Sequence, residues 1–397
     1  MKKWILCVAS LLLVLSLCAC TKTSQNVEET SHSEEEVEKE ITLSVKERTL
    51  FLKTGESQML NASSNGEVTF TSNKPDVVTV DADGKVTAVK KGNAMITITA
   101  GENTKYCGVI IDLAGTYVDA DAMTLAPVCM GVSLERVTVI QGFAIDTVTN
   151  SIYFVQRYNG EDPSDLMFTK VEKVNGVWQK TDWMHLFESG HGMISLDHDE
   201  NGQLYLWVES NGTLSDSAET ISRIQWVSAG YMEREYGQVM DFSDDFSYHP
   251  LVQIDEENNL VAVRVASTGG SAYYFYDKEA LISGEQQTWL YKVLCAGNQT
   301  PIAGEDDSNG TFVNNSLQGF ATSGSYIYQI NGNPEGDTYI SAFDIEGNLL
   351  YSHLFTEYPD LEYREAEGMF FADGKLYFAV ASGPSGARVA NVFTYKE

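Results

Sequence analysis

Basic residues are scarce in this chain of 397 residues: 26 Lys and Arg stand against 56 Asp and Glu, a formal net charge of −30. Such an excess of acid disfavours nucleic acid and anionic lipid as diffuse electrostatic partners. Cysteine is also sparse. Of six in all, Cys7, Cys18 and Cys20 crowd the first 20 residues. The remaining Cys107, Cys129 and Cys295 cannot all pair, so no disulfide framework is implied, and a Cys107–Cys129 bridge is left open. The apolar run at residues 4–17 is too short and wrongly flanked for a stable membrane span. Gly-x-Ser-x-Gly, His-Glu-x-x-His, phosphate-loop and dinucleotide fingerprints are all missing, which removes the commonest hydrolase and nucleotide chemistries.

The chain begins instead with Lys2 and Lys3, that apolar run, and then Leu17-Cys18-Ala19-Cys20. This ending resembles the lipobox of bacterial lipoproteins. The resemblance implies cleavage before Cys20, a diacylglycerol on its sulfur, and a place on the outer face of a bacterial cell membrane. An ordinary secretory signal is the alternative. Residues 21–40 are acidic and polar, with no pattern able to bury a core, so they read as a disordered tether.

From residue 41 to 112, short alternating segments separated by turns predict a small antiparallel sandwich. Asp83-Gly84 supplies a tight hairpin, since such a turn needs a positive φ that Gly adopts without strain. Ser72–Ala100 carries Ser-Asn-x-Pro, then Val-Asp-x-x-Gly-x-Val-Thr-Ala, then Lys-Gly and an alternating strand. It resembles the group 2 bacterial immunoglobulin-like domain, with Phe70 where that family usually has Trp. The resemblance implies a surface spacer or adhesive module. Residues 81–84 imitate a calcium loop but lack its downstream bidentate Glu, and so read as a turn.

Residues 113–397 are dominated by a repeat. Five segments open alike, at Gln141, His191, His249, Gln318 and Glu367, about 50 to 70 residues apart. Each has a polar residue, then Gly (Pro250 in the third), then a large apolar residue, an Asp/Asn/Gly-rich turn, and an alternating strand. Third and fourth strands follow, so each unit reads as one four-stranded blade, and the fold class is all-β: an Ig-like sandwich followed by a five-bladed β-propeller. The fifth unit ends after three strands. Its missing outer strand is expected from residues 122–130, ahead of the first repeat, which would leave no free edge.

In a propeller the first strand of each blade lines the axis, so Gln141, His191, His249, Gln318 and Glu367 are expected to converge on one polar ring, with Arg157 and Arg364 beside it. Glu209 and Arg264 flank the same strands. Two readings stand for the ring: a ligand-binding mouth, or groups that cap strands and bond channel water. No cofactor is implied; a divalent cation held through His191, His249 and Glu367 is an alternative. The Asp197–Gly202 segment has Val208 at its twelfth position, where calcium needs a bidentate Glu, and reads as a turn. The acidic stretch at residues 304–310 reads as solvated. Most of the many aromatics are assigned to blade interfaces, with a few left to stack on sugar rings.

Gln-Gly-Phe-Ala at residues 141–144, Gly-His-Gly-Met at 190–193, Glu-Gly-Met at 367–369, and the closing Ala381–Lys396 stretch resemble one five-bladed propeller group. It comprises the teichoic-acid biosynthesis protein C family, phage tail receptor-binding proteins of Gram-positive hosts, and helveticin J-type bacteriocins. The resemblance implies recognition of a cell-wall glycopolymer or surface glycan, without an agreed catalytic mechanism. A lipid-anchored, non-enzymatic binding protein is therefore the expected function, touching the membrane through its lipid only. The alternatives are a glycan hydrolase or lyase using Glu367 with a second carboxylate, a bacteriolytic protein, and a scaffold for envelope proteins.

Overall fold

Alternation of apolar and polar residues over three to eleven positions, broken by Asp, Asn and Gly, gives strands almost throughout. The computed structural model describes residues 40–158, 165–187, 192–210, 220–233, 237–242, 250–267, 270–285, 288–296, 317–332 and 337–397. Cys20, the acidic tether, His191, His249 and the 304–310 stretch lie outside these.

The N-terminal module is a sandwich. Thr49–Leu52, Asn103–Ile111, Gly92–Ala100 and Thr69–Ser72 form one sheet in that order, and Ser57–Met59, Lys85–Ala88 and Val78–Val80 form another. Their inward faces bury Leu50, Val78, Val86, Ile96, Ile98 and Val109. The Asp81–Gly84 segment is a turn: Asp81 Oδ1 accepts the amides of Asp83 and Lys85. Gly84 has φ +84°, and a Cβ there would lie 2.8 Å from the Phe70 ring. The residue standing in for the family's Trp therefore seats the hairpin.

Five sheets follow, here blades I to V, four of them four-stranded and blade I five-stranded. Their first strands are Ile140–Asp146, Ile194–His198, Leu251–Asp255, Leu317–Ser323 and Glu365–Ala372. Each touches the next, and the fifth touches the first, so the circle is closed. Thr124–Val132 pairs antiparallel with Val389–Lys396, with Leu125 opposite Tyr395, and completes blade V. Glycine in the repeat opening answers a distance. A Cβ on Gly142 would lie 2.4 Å from the Gly192 carbonyl oxygen, and one on Gly319 2.6 Å from Gly368 Cα.

Three features differ from the expectation. The segment read as one outer strand of blade II is two: Gln238–Asp241 closes blade II, whereas Gly230–Glu233 joins blade I as a fifth strand, parallel to Val177–Phe187. A short helix, Lys278–Ser283, interrupts blade III, with Asp277 as N-cap and Gly284 in the left-handed C-cap conformation. Third, Cys107, Cys129 and Cys295 are buried and free, so the bridge left open does not form. Burial pushes each of these thiols up to about 12.

The Ig-like module is not a free spacer but is docked on blade III. Met95 and Ile110 enter one buried cluster with Leu260, Phe275, Leu290 and Tyr291, a burial worth about 1.5–3 kcal/mol for each such side chain. Thr49 Oγ1 donates to the Leu290 carbonyl at 2.9 Å, and Lys74 Nζ lies 2.9 Å from the helix-capping Asp277. The Arg48 guanidinium sits 4.0 Å over Trp289. Asn258 ties these parts together. Its side chain accepts from Ala114 N and donates to Ala114 O (2.9 and 2.8 Å), its Nδ2 also reaches Asp255, and its carbonyl accepts from Asn93 Nδ2.

Two substitutions test this frame. Gly319→Ala forces a Cβ into the neighbouring backbone and is expected to lower unfolding free energy by about 1–3 kcal/mol, read by urea denaturation. Asn258→Ala strips both bonds from a half-buried stretch of linker and is expected to cost at least about 2 kcal/mol in the same assay.

Candidate functional site at the propeller axis

The first strands share a direction, so their opening residues gather at one end of the axis and their last residues at the other. At the opening end the pairing with the second strand breaks in blades I, IV and V. Ile140 faces Gln156 but Gly142 faces Val155; Leu317 faces Asn331 but Gly319 faces Ile330; Ala366 faces Val380 but Met369 faces Phe378. Gln141, Gln318 and Glu367 are therefore the residues thrown out by β-bulges, a device that re-aims side chains.

Their environments differ. Half-buried Gln141 and Gln318 donate to backbone carbonyls, of Ile140 at 3.1 Å and Gly332 at 3.2 Å. Glu367 is buried, and burial together with the neighbouring Glu365 carboxylate holds its pKa well above the usual range. Glu365 in turn accepts from the Tyr363 hydroxyl. Arg157 ends the second strand of blade I at this same end. Arg364 precedes the first strand of blade V, where its Nη1 donates to the Glu357 carbonyl at 3.0 Å and its guanidinium lies 4.9 Å over Phe355. Arg264 Nε donates to Ser271 Oγ at 3.0 Å, and Glu209 is buried. Halfway along, buried Gln253 spans the axis, its Nε2 directed at the carbonyls of Ile194 in blade II and Met369 in blade V (3.3 and 3.4 Å).

The opposite end holds a pocket of about 490 Å³ to which all five blades contribute. It was not read from the sequence, although the signal was present: Asp146 and Asp255 end two of the first strands and Asp197 is the last residue but one of a third. Each is buried and engaged in structure. Asp146 accepts from Val148 N and from Thr149 Oγ1 (2.9 and 2.6 Å), with His198 Nε2 3.5 Å away. Asp197 receives Arg223 Nε and Nη2 and the Trp207 indole N–H. Asp255 accepts from Gly324 N at 2.7 Å, and burial raises its pKa. Glu257 and Asp373 are exposed on the pocket's rim. Among the described residues, no group of three or more His, Cys, Asp or Glu side chains is placed to hold a metal ion.

A second surface lies on the outer edge of blade I. Trp183, His185 and Phe187 alternate along one strand, and the inserted strand brings Tyr231 opposite His185. Tyr231 stacks on Phe187 with centroids 5.6 Å apart, and Tyr158 stacks on His185 at 4.1 Å. Tyr231 is 65% exposed and Phe187 45%. This is an aromatic platform open to solvent.

With this geometry in place, the likeness to known proteins is informative. Residues 41–109 match the bacterial Ig-like domain (group 2), and residues 139–268 match the phage 5-bladed beta propeller receptor binding platform domain. The chain is 20% identical over 277 residues to "Putative major teichoic acid biosynthesis protein C" of Bacillus subtilis (strain 168), covering 65% of this chain and 59% of that one. The tail fiber of Staphylococcus aureus phage P68 superposes with a TM-score of 0.56 at 17% identity, over 70% of this chain and 54% of the fiber. The chain thus spans little more than half the length of either. It carries a group 2 Ig-like domain followed by a receptor-binding-type five-bladed propeller, with the teichoic acid protein as a distant relative.

Glu367 generates a pH prediction. A carboxyl whose folded pKa is raised favours folding while protonated in both states, and that contribution falls as pH climbs from the ordinary carboxylate range towards the folded value. Glu367→Gln keeps the shape and removes the titration. The variant is expected to be more stable than the parent at pH 7 to 8, with the gap closing towards pH 4, in paired urea titrations.

Proposed function

We propose that this chain is a non-enzymatic receptor-binding protein of the bacterial envelope, anchored through lipid on Cys20, that holds a cell-wall glycopolymer at its propeller axis. The observation that carries the reading is the pocket at the turn end: one recess built by five blades and open to solvent. Recesses of this size suit one or a few sugar or polyol units. The match of residues 139–268 to a receptor-binding platform, and the distant relation to a protein named for teichoic acid biosynthesis, favour such a polymer as ligand. Binding rather than hydrolysis is favoured because the three buried acids at the pocket, Asp146, Asp197 and Asp255, are committed to backbone amides or to Arg223, and Glu256, Glu257 and Asp373 are exposed. Tyr231 and Phe187 offer a second face on which sugar rings stack.

Retention of the folded chain on purified Gram-positive wall polymer tests this. Ala372→Trp fills the pocket from its wall and is expected to weaken retention about tenfold or more, whereas Gln318→Ala at the opposite end leaves it unchanged. The reverse pattern would move the site to the opening ring, and no retention of the parent protein would end the reading. Palmitate labelling that disappears in Cys20→Ala checks the anchor.

A further inference from the structure

Among the described residues only blade I carries a fifth strand, Gly230–Glu233, which lies in sequence between two strands of blade II. Side chains two apart along a strand, and those directly opposite on its neighbour, share one face of the sheet. Trp183, His185 and Phe187 therefore lie on one face, and Tyr231 and Glu233 join them opposite His185 and Phe187. Met184 and Leu186, on the other face, are fully buried and supply this strand's share of the core. The inner part of the aromatic face is covered: Glu135 N donates to Thr169 Oγ1 and Arg136 N to Gln156 Oε1 (3.1 and 3.0 Å), which lays residues 135–136 across it. The outer part is open, with Tyr231 65% and Phe187 45% exposed.

The rings hold one another in place. Phe187 and Tyr231 lie within 16° of parallel, Trp183 meets Tyr231 edge-on at 5.5 Å, and buried His185 packs against Phe187 and Tyr231 at 4.3 and 5.6 Å. On the inner side Tyr158 stacks on His185, with the Arg136 guanidinium 4.6 Å over its other neighbourhood, the Tyr158 ring. Rings fixed in this way lose little freedom when a ligand lies on them. With most of Tyr231 in solvent, at least one face of its ring is open.

Size and charge decide what fits. Phe187 and Tyr231 together expose roughly 200–250 Å², far below the about 800 Å² that each partner gives to a stable protein interface. A small ring fits instead. The electron-rich aromatic face attracts polarised C–H bonds. Exposed Glu233 and partly exposed Asp165, 3.1 Å from His185 Nε2, flank it with carboxylates that accept hydrogen bonds from hydroxyls and repel phosphate.

Resting on the glycan-binding reading above, we propose that the outer edge of blade I is a second binding site, separate from the axial pocket, for a neutral pyranose that presents a face of C–H bonds. The sugar ring lies on Tyr231 and Phe187, and its hydroxyls donate to Glu233 and Asp165. Phosphate-linked polyol units are anionic and have no such face, so they stay with the axial pocket.

Cellotetraose tests this, because each of its rings has equatorial hydroxyls and two faces of C–H bonds. Calorimetric titration of the folded chain is expected to show binding that weakens about tenfold or more in Tyr231→Ala, and less than about threefold in Tyr231→Phe, which keeps the ring. Tyr231 is exposed, so neither change disturbs the core. Saturation transfer from protein to sugar is expected to be strongest at the ring C–H protons in NMR. For an unsubstituted glycerol phosphate oligomer, Tyr231→Ala is expected to change affinity by less than about twofold. A tenfold loss for that probe as well would overturn the separation of the two sites. Tetramethylammonium that binds more tightly than cellotetraose and displaces it would make the face a cation site and overturn the sugar assignment. No cellotetraose binding, or binding indifferent to Tyr231→Ala, would overturn the second site while polymer retention at the axis still stood. Tyr231-dependent cellotetraose binding without retention on wall polymer would support the second site and end the axial reading alone.

Discussion

Close approach of five backbones around one axis is the constraint from which the rest of the molecule follows. In four blades the approach is possible because a side chain is absent, at Gly142, Gly192, Gly319 and Gly368; the third blade has Pro250 there. The residue before each glycine then has no room in the ladder. In blades I, IV and V it is expelled as a bulge, which is why Gln141, Gln318 and Glu367 form a set despite their different chemistry. At the far end all five blades line a pocket. Tightness at one end and a recess at the other are two outcomes of one geometry.

Much of this was legible because propellers write their symmetry into the chain. The repeat opening gave five blades, the alternation gave their strands, and the unpaired third strand of the last blade pointed to a partner upstream of the first, which is Thr124–Val132. The helix Lys278–Ser283 was missed although Asp277 before it and Gly284 after it are strong cap residues. The aromatic run Tyr273–Tyr276 reads as strand so firmly that it masked them. The extra strand Gly230–Glu233 defeats reading by repeats because it leaves its own blade for a neighbour's.

The candidate site was harder. Sequence periodicity says which residues reach the axis, but not which end of it is open. That depends on tertiary contacts such as those of Asp146 and Asp255 with turn groups and of Asp197 with Arg223 and Trp207. The docking of the Ig-like module was illegible for another reason. It relies on single side chains reading distant backbone, as Asn93 reads the Asn258 carbonyl and Asn258 reads Ala114. An Asn in a strand or a turn is ordinary by composition; only the fold makes it a joint.

Pairing of Thr124–Val132 with Val389–Lys396 has an implication for how the protein comes into being. The early strand of that sheet is made more than two hundred residues before its neighbour, and until Val389–Lys396 is made it lacks its partner strand. The sheet is closed by a contact between segments far apart along the chain, and contacts of such separation are slow to form. Val389–Lys396 thus acts as a latch: a copy lacking it would leave Thr124–Val132 unpaired and present a bare strand edge.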